Sequence, residues 1–278
     1  MMANDISVLL VTKGHDFDHD AFLAMFDDLD DVEVTLVQQP AAQVLLRPDH
    51  VGDSDAVLFY DMSGIPGAGL THDGASEDGQ PSDDYRASIE ALLARGTGIV
   101  MLNHATVSWP EWPLWRRMTG SSFMLKSGTL NGVKVPGSGY RGGHGPLANA
   151  TVVLNPVTGQ PVLEGLENGF ELTDELYIKT ADFEADVEPL LRADYDFVAE
   201  NFTPPPLAPA EEQAAWSHPP GSNLIVWANA VSASPIVVSD VGDSPAAFEN
   251  PDFRRLLRNA LRWVASAEGR AWARTLGG

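Results

Sequence analysis

The chain has 278 residues, 44% of them hydrophobic, with 25 Gly, 20 Pro and no Cys, which is material for one large α/β domain or two small ones with many loops. Its 39 acidic residues against 17 basic give a net charge of −22, which argues against nucleic acid and anionic membranes as partners, since both call for clustered Lys and Arg. The lack of cysteine excludes disulfides, thiolate metal sites and a cysteine nucleophile.

The N-terminal segment carries no basic stretch followed by an apolar one, and no apolar run approaches the roughly 20 residues that span a bilayer. A cytoplasmic location is therefore expected. Ile6 to Val11 reads as a buried strand and runs into Lys13-Gly14-His15-Asp16-Phe17-Asp18-His19. Phe22, Met25, Phe26 and Leu29 then recur at i, i+3, i+4 and i+7, the pattern of an amphipathic helix. Val32 to Val37 and Ala56 to Tyr60 follow as strands. Gly64 to Pro81 is glycine-rich and aperiodic, a binding loop or a variable surface excursion.

Ser82 or Asp83 caps a helix whose buried face is Tyr85, Ile89, Leu92 and Leu93, and Arg95-Gly96 stops it. Gly98 to Asn103 is the best buried strand in the chain, and His104 stands at its tip. Alternating strands and helices imply a parallel sheet with right-handed crossovers, whose ligands bind beyond the carboxyl ends of the strands. Leu130–Val135, Thr151–Leu154, Leu224–Ala228 and Ile236–Val241 are shorter β segments, and Thr203 to Gly221 is a proline-rich loop. Asn250 and Pro251 open a last helix with the face Phe253, Leu256, Leu257, Ala260, Leu261 and Val264.

Four constellations could carry chemistry. His15 and His19, spaced i, i+4, would share one side of a helical turn and could chelate a divalent cation, whereas the other reading is a capped helix with a solvated histidine. His104 is followed by Trp109, Trp112 and Trp115; Pro110 and Pro113 interrupt a regular helix there, so Trp109 and Trp112 are expected to stay partly exposed and stack on a sugar, with plain core packing as the alternative. Gly139-Tyr140-Arg141-Gly142-Gly143-His144 sets glycines around a histidine, as a ligand loop or an ordinary turn would. Thr173-Asp174-Glu175-Leu176-Tyr177 offers adjacent carboxylates for acid–base work or metal ligation, or a helix start.

Together these segments resemble the ThuA-like family, named for trehalose utilisation. The resemblance rests on Gly14-His15 to Asp20, Asn103-His104-Ala105 with the following Trp-Pro, Gly139-Tyr140 with His144, Asn155-Pro156-Val157-Thr158 leading to Gly165-Leu166, Thr173 to Tyr177 with Pro189-Leu190-Leu191, and Asn250-Pro251-Asp252-Phe253-Arg254 to Trp263. It spans roughly residues 5–265, within one elaborated domain over 1–278. The resemblance implies an α/β fold of the flavodoxin-like, class I glutamine amidotransferase-like type, with a central, mostly parallel sheet flanked by helices and interrupted by β-rich and loop insertions. Three departures stand out. Val241-Gly242-Asp243 replaces a Gly-His near the end of a late strand, Asn155 replaces a His before Pro, and the amidotransferase cysteine is missing near His104, which rules out glutamine hydrolysis through a thioester.

The resemblance implies carbohydrate catabolism, with an isomerase, lyase or hydrolase acting on a keto-sugar or glycoside. In that reading His104, Glu175 and His144 are catalytic, with Glu175 as the base, and Trp109, Trp112, Tyr140, Asp174 and Tyr177 hold the substrate. His15, His19 and His104 would bind a divalent cation, Zn, Ni or Mn, since no thiolate exists to select otherwise. The expected partner is a small-molecule sugar or keto-sugar, with the chain as a monomer or a homo-oligomer. A non-catalytic sugar- or metabolite-binding protein on the same scaffold is the alternative reading.

Overall fold

Strand and helix alternate from the first described residues. This computed structural model describes residues 5–52, 54–65, 74–130 and 132–276. The first half runs β1 (Ile6–Thr12), α1 (His19–Asp27), β2 (Val32–Gln38), α2 (Ala42–Leu45), β3 (Ala56–Phe59), α3 (Asp83–Arg95) and β4 (Gly98–Leu102). The second half comprises α4 (Pro113–Thr119), β5 (Gly128–Leu130), β6 (Val133–Val135), β7 (Gly139–Arg141), β8 (Ala150–Pro156), β9 (Phe170–Asp174), β10 (Leu176–Ile178), β11 (Glu188–Ala193), α5 (Ala210–Ala214), β12 (Leu224–Val231), β13 (Ser234–Ser239), α6 (Pro245–Glu249), α7 (Pro251–Ala265) and α8 (Ala267–Leu276).

One nine-stranded sheet runs in the order β2-β1-β3-β4-β13-β12-β11-β8-β9. Its first four positions have the flavodoxin-like order. The pairings from β2 through β13 are parallel and the rest antiparallel, so only β12 and β8 run against the other strands. The mostly parallel sheet expected from the sequence is therefore present, lengthened by an antiparallel arm. Two small antiparallel pairs, the β5–β6 hairpin and β7 with β10, stand outside the sheet.

Alternate side chains of β1 feed two cores. Val8 and Leu10 pack with Phe22, Met25 and the α7 residues on one face, while Leu9 and Val11 pack with Ile89, Leu92 and Leu93 on the other. Burial on both faces explains the near-continuous apolar runs of the inner strands. Helix starts follow capping chemistry. Asp18 accepts from the Ala21 N–H, Ser82 from Tyr85, and Asn250 from Asp252 and Phe253.

Three expectations need adjustment. The segment from Leu130 to Val135 is a hairpin rather than one strand, turning around Gly132 at φ 82°; glycine carries that backbone region without strain. Of the loop read over Gly64 to Pro81, residues 66–73 lie outside the described residues. Because Asp18 caps α1, the helix begins at His19 and His15 precedes it, so the two imidazoles share no helical turn. Among the described residues, no helix is long and apolar enough to cross a membrane.

The parallel strands β1, β3, β4 and β13 all end at one edge of the sheet, and β9 runs the same way, so Asp174 reaches that edge too.

Candidate active site

At that edge five strand ends bring together groups far apart in sequence. β1 delivers His15 through Gly14, which lies at φ +88°, where a Cβ would meet the Met62 carbonyl oxygen at 1.9 Å. β4 delivers Asn103 and His104 through a sharp turn in which Asn103 itself has φ 44°, a left-handed conformation that asparagine tolerates better than most residues. β13 delivers Asp243 through Gly242, at φ +118°, where a Cβ would collide with Leu102 and Phe253. β9 delivers Asp174 and then Glu175, and the antiparallel pairing of β7 with β10 sets Tyr140 directly opposite Tyr177.

The imidazoles of His15 and His104 lie face to face, with ring centroids 3.6 Å apart, and His144 meets His15 edge-on at 4.7 Å. His15 Nδ1 lies 3.8 Å from Asp243 Oδ1, His104 Nε2 lies 3.6 Å from the same oxygen, and His144 Nε2 lies 3.6 Å from Asp243 Oδ2. Glu175 sits behind them, its Oε1 3.9 Å from His104 Nε2. Tyr140 donates to Glu175 Oε2 at 2.8 Å and Asn103 Nδ2 donates to Oε1 at 3.0 Å, with a further donation from Tyr177. Tyr60 donates to Asp243 Oδ1 at 3.0 Å.

Electrostatics sharpen this arrangement. Burial, with the nearby His144, lowers His15 from 6.5 to about 4, and burial beside the other two histidines takes His104 well below the usual range. Both rings are therefore neutral at physiological pH. Glu175 is pushed up to about 7 by burial and then by the charge of Asp243; Asp243 is pushed up to about 7 by burial and then by the charge of Asp174. The hydroxyls of Tyr60, Tyr140 and Tyr177 are driven upward, first by burial and then by these carboxylates, so they stay protonated donors.

A cleft of about 720 Å³ opens over these groups, lined by His15, His104, Tyr140, His144, Glu175 and Tyr177 together with apolar side chains. The structure thus gathers His15, His104, His144, Glu175, Tyr140 and Tyr177. His19 does not join them. It is exposed at the start of α1 and stacks on Phe17 at 4.1 Å. Asp174 is buried beneath the site rather than facing it. Its carboxylate accepts the backbone N–H groups of Gly242, Asp243 and Ser244 at 2.5, 3.2 and 3.0 Å, clamping the loop that carries Asp243.

The tryptophans also depart from expectation. Trp109 is fully buried and Trp112 nearly so, packed edge to face with each other and against Tyr85 of α3. The prolines do not push them outward. Pro113 is the first residue of α4, and Trp109 turns at φ 46° with its N–H on the Ser63 carbonyl, so the rings point into the core under the His104 turn.

Two site residues escaped the sequence reading, Asp243 as a ligand-type carboxylate and Tyr60 as its donor. Both stand just past parallel strands, the same signal that singled out His104. Asn103, in the left-handed turn where a strand-end nucleophile would stand, carries an amide instead and orients Glu175.

A set of His15, His104 and Asp243 offers one ligand atom each, all within 4.8 Å of one another. His15 Nδ1 is buried with no hydrogen-bond partner, and both rings are already deprotonated. Two neutral imidazoles with a carboxylate suit a borderline divalent cation. At the position where the family pattern has a histidine, this chain thus offers a carboxylate oxygen within reach of both imidazoles.

No characterised protein matches by sequence. Among solved structures, a ThuA-like protein of Parabacteroides merdae superposes with a TM-score of 0.63 at 15% identity, covering 95% of this chain and 91% of that one. A ThuA-like protein of Bacteroides uniformis gives 0.61 at 17%, covering 95% and 93%. A cytoplasmic protein of Salmonella typhimurium gives 0.53 at 12%, covering 92% and 98%. At these identities the likeness is one of fold. The family model described as ThuA, trehalose utilisation, matches residues 7–264 by sequence, and the chain belongs to that family.

Proposed function

We propose that the chain is a cytoplasmic enzyme acting on a keto-sugar or glycoside through proton transfer at the carbon beside the carbonyl. Membership of the ThuA family implies a role in carbohydrate utilisation; the reaction type is the proposal. One observation carries it. Glu175 is buried, pushed up to about 7, and held by Tyr140, Tyr177 and Asn103 in front of neutral imidazoles. A carboxyl poised near neutrality can take a proton and return it, which is the requirement for general acid–base work.

In this reading the sugar lies in the cleft with its C–H toward Glu175. Glu175 takes the proton and returns it, while the Tyr140 hydroxyl, which stays protonated, holds its other oxygen in place. The neutral His104, whose Nε2 lies 3.6 Å from Asp243 and 3.9 Å from Glu175, can polarise the carbonyl oxygen on which charge develops. His144, at the half-exposed rim, is placed to handle the proton of a departing or shifting oxygen. Returning the proton to the neighbouring carbon gives isomerisation, whereas loss of a β-oxygen gives elimination of an aglycone. Hydrolysis is the remaining outcome compatible with the family reading.

His15, His104 and Asp243 would hold a divalent cation of the Zn²⁺, Ni²⁺ or Mn²⁺ kind. When bound it would supply Lewis-acid stabilisation of oxygen charge. Of the side chains expected from the sequence to hold the substrate, Tyr140 and Tyr177 line the cleft and the two tryptophans do not.

The test is hydrogen exchange in D₂O, followed by NMR, with a methyl glucoside oxidised to a ketone at one ring carbon. The wild-type protein should catalyse exchange of the C–H beside the carbonyl. Glu175→Gln, which keeps the shape and the acceptor oxygen, should slow it by about 100- to 10,000-fold. No exchange by the wild-type protein, with or without added Mn²⁺ or Zn²⁺, would overturn the reading.

A further inference from the structure

The floor of the cleft is polar, but its walls are not. Above the His15–Glu175 floor stand Met62, Val107, Phe123, Leu125, Pro204 and Leu207. Several of these belong to a small apolar cluster of their own, with Val107, Phe123 and Tyr177 buried in it and Met62, Leu125 and Tyr140 packed against it. That cluster belongs to neither of the two cores that hold the sheet. Apolar clusters under long loops are common as satellites, but this one borders the site, and Leu207 is left 44% exposed beside it.

The collar is preformed. Tyr140 and Thr203 exchange backbone hydrogen bonds at 2.9 and 2.8 Å, which pins the proline-rich segment to β7. Gln213 donates to the Pro206 and Ala208 carbonyls at 3.2 and 2.8 Å, and Trp216 donates to the Gly137 carbonyl at 2.8 Å. A wall held in this way loses little freedom when a ligand covers it.

Charge points the same way. Among the described residues no Lys or Arg lines the cleft, while Asp16 and Glu175 do, and the whole chain carries −22. A phosphate or carboxylate on the substrate would find no cationic side chain there. A single sugar ring has far less volume than this cleft, which matches the range that holds drug-sized ligands.

We infer that the cleft takes an uncharged glycoside, with the sugar on the His104–Glu175 floor and an apolar, ring-bearing aglycone against the Phe123–Leu125–Leu207 collar. This rests on the proposed sugar chemistry and adds to it the substrate class. A second sugar ring would present hydroxyls to a wall with few partners for them, and burying unpaired hydroxyls is costly. A flat apolar group instead covers surface that is otherwise exposed to water.

The experiment compares three keto-glucosides with the full-length protein: 4-nitrophenyl, methyl, and 4-nitrophenyl bearing a 6-phosphate. The 4-nitrophenyl compound should exceed the methyl one in kcat/KM by about ten- to one-hundred-fold, as burying a ring of Phe size allows. The 6-phosphate should lower kcat/KM at least tenfold. In Leu207→Ser and Leu125→Ser the ratio of 4-nitrophenyl to methyl should fall towards one. Leu207 is exposed enough for the first substitution to leave the fold intact, which circular dichroism checks.

Equal kcat/KM for the aryl and methyl compounds, an unchanged ratio in both variants, or a preference for the phosphate would each overturn the inference while leaving the sugar chemistry standing. If no keto-glucoside is turned over, the sugar chemistry has failed, and the collar is read by calorimetry with unoxidised 4-nitrophenyl β-glucoside. Binding that weakens in both variants supports the collar; no binding, or equal binding in all three proteins, overturns it.

Discussion

Asp243 shows how burying one carboxyl in a candidate site weighs on stability. Its carboxyl is pushed up to about 7 from the ordinary 3.8, by burial and then by the charge of Asp174. A carboxyl with a raised folded-state pKa binds its proton in the folded protein between about pH 4 and 7 while the unfolded chain has already lost it. The stability it contributes is thus present at low pH and is lost as the pH rises through 7. In protein freed of metal by chelator, Asp243→Asn should therefore be more stable than wild type by about 1–3 kcal/mol at pH 8 and equal to it near pH 4. Asparagine still accepts from Tyr60, so that hydrogen bond survives. Urea unfolding at the two pH values checks this, and an equal gain at both would show that the carboxyl titrates normally. The same variant should bind Mn²⁺ or Zn²⁺ at least tenfold more weakly by calorimetry, because it removes the only anionic member of the candidate ligand set.

The strands that carry the site are joined by a second, deeper contact. Lys179, just past β10, is buried with its Nζ 2.6 Å from Asp240 Oδ2, just past β13, and 3.0 Å from Ser121 Oγ. Burial lowers the lysine and raises the aspartate, while their mutual attraction opposes both shifts. The Asp240 carbonyl also accepts from Asn103, so the pair ties the Glu175 segment to the Asp243 loop through Asn103. Lys179→Met strands a buried carboxylate and should cost about 3–5 kcal/mol, whereas Lys179→Met with Asp240→Asn should recover part of that loss. Denaturant melts of the two variants decide this; a double variant no more stable than the single one would mean that packing, not charge, sets the cost. At this scale the sequence was readable where periodicity acts locally. The α1 face of Phe22, Met25 and Phe26 and the α7 face from Phe253 to Val264 appear as their spacing requires. It misled at Trp109 and Trp112, because exposure was argued from a broken helix alone. A broken helix can turn its rings inward when a neighbour such as Tyr85 offers a surface, and such a neighbour is not visible in local spacing. Replacing Trp109 by Leu should accordingly cost about 2–4 kcal/mol in the same melts, with glycoside affinity unchanged if the packing role is right.

For the whole molecule, topology decides which residues meet. His15, His104, Glu175 and Asp243 converge because a parallel sheet collects its carboxyl ends at one edge. That rule made His15 and His104 legible from sequence, since each follows an apolar run. Asp243 was legible by the same rule but stood where the family pattern has a histidine, so it read as the loss of an imidazole rather than as a carboxylate placed beside His15 and His104. His19 was misread because its spacing suggests a shared turn, whereas the cap at Asp18 ends the strand-to-helix loop first. Surrounding this site is a surface whose net charge of −22 repels itself. Some of that repulsion is offset by pairs such as Asp31 with Arg258 and Arg262, and Glu184 with Arg192. Their partly exposed arginines make each worth only about 0–1 kcal/mol, and salt weakens them too. With far more acids than bases, the repulsion should win. At pH 8 with chelator present, 0.5 M NaCl is expected to raise Tm by about 2–4 °C, the equivalent of about 1 kcal/mol in a chain of this size. Near pH 4.4, where the sequence is isoelectric, little repulsion remains to be screened and the gain should vanish. Calorimetric scans at both pH values test this. A Tm that falls with salt at pH 8 would mean that the Asp31 and Glu184 pairs outweigh the repulsion of the acidic surface.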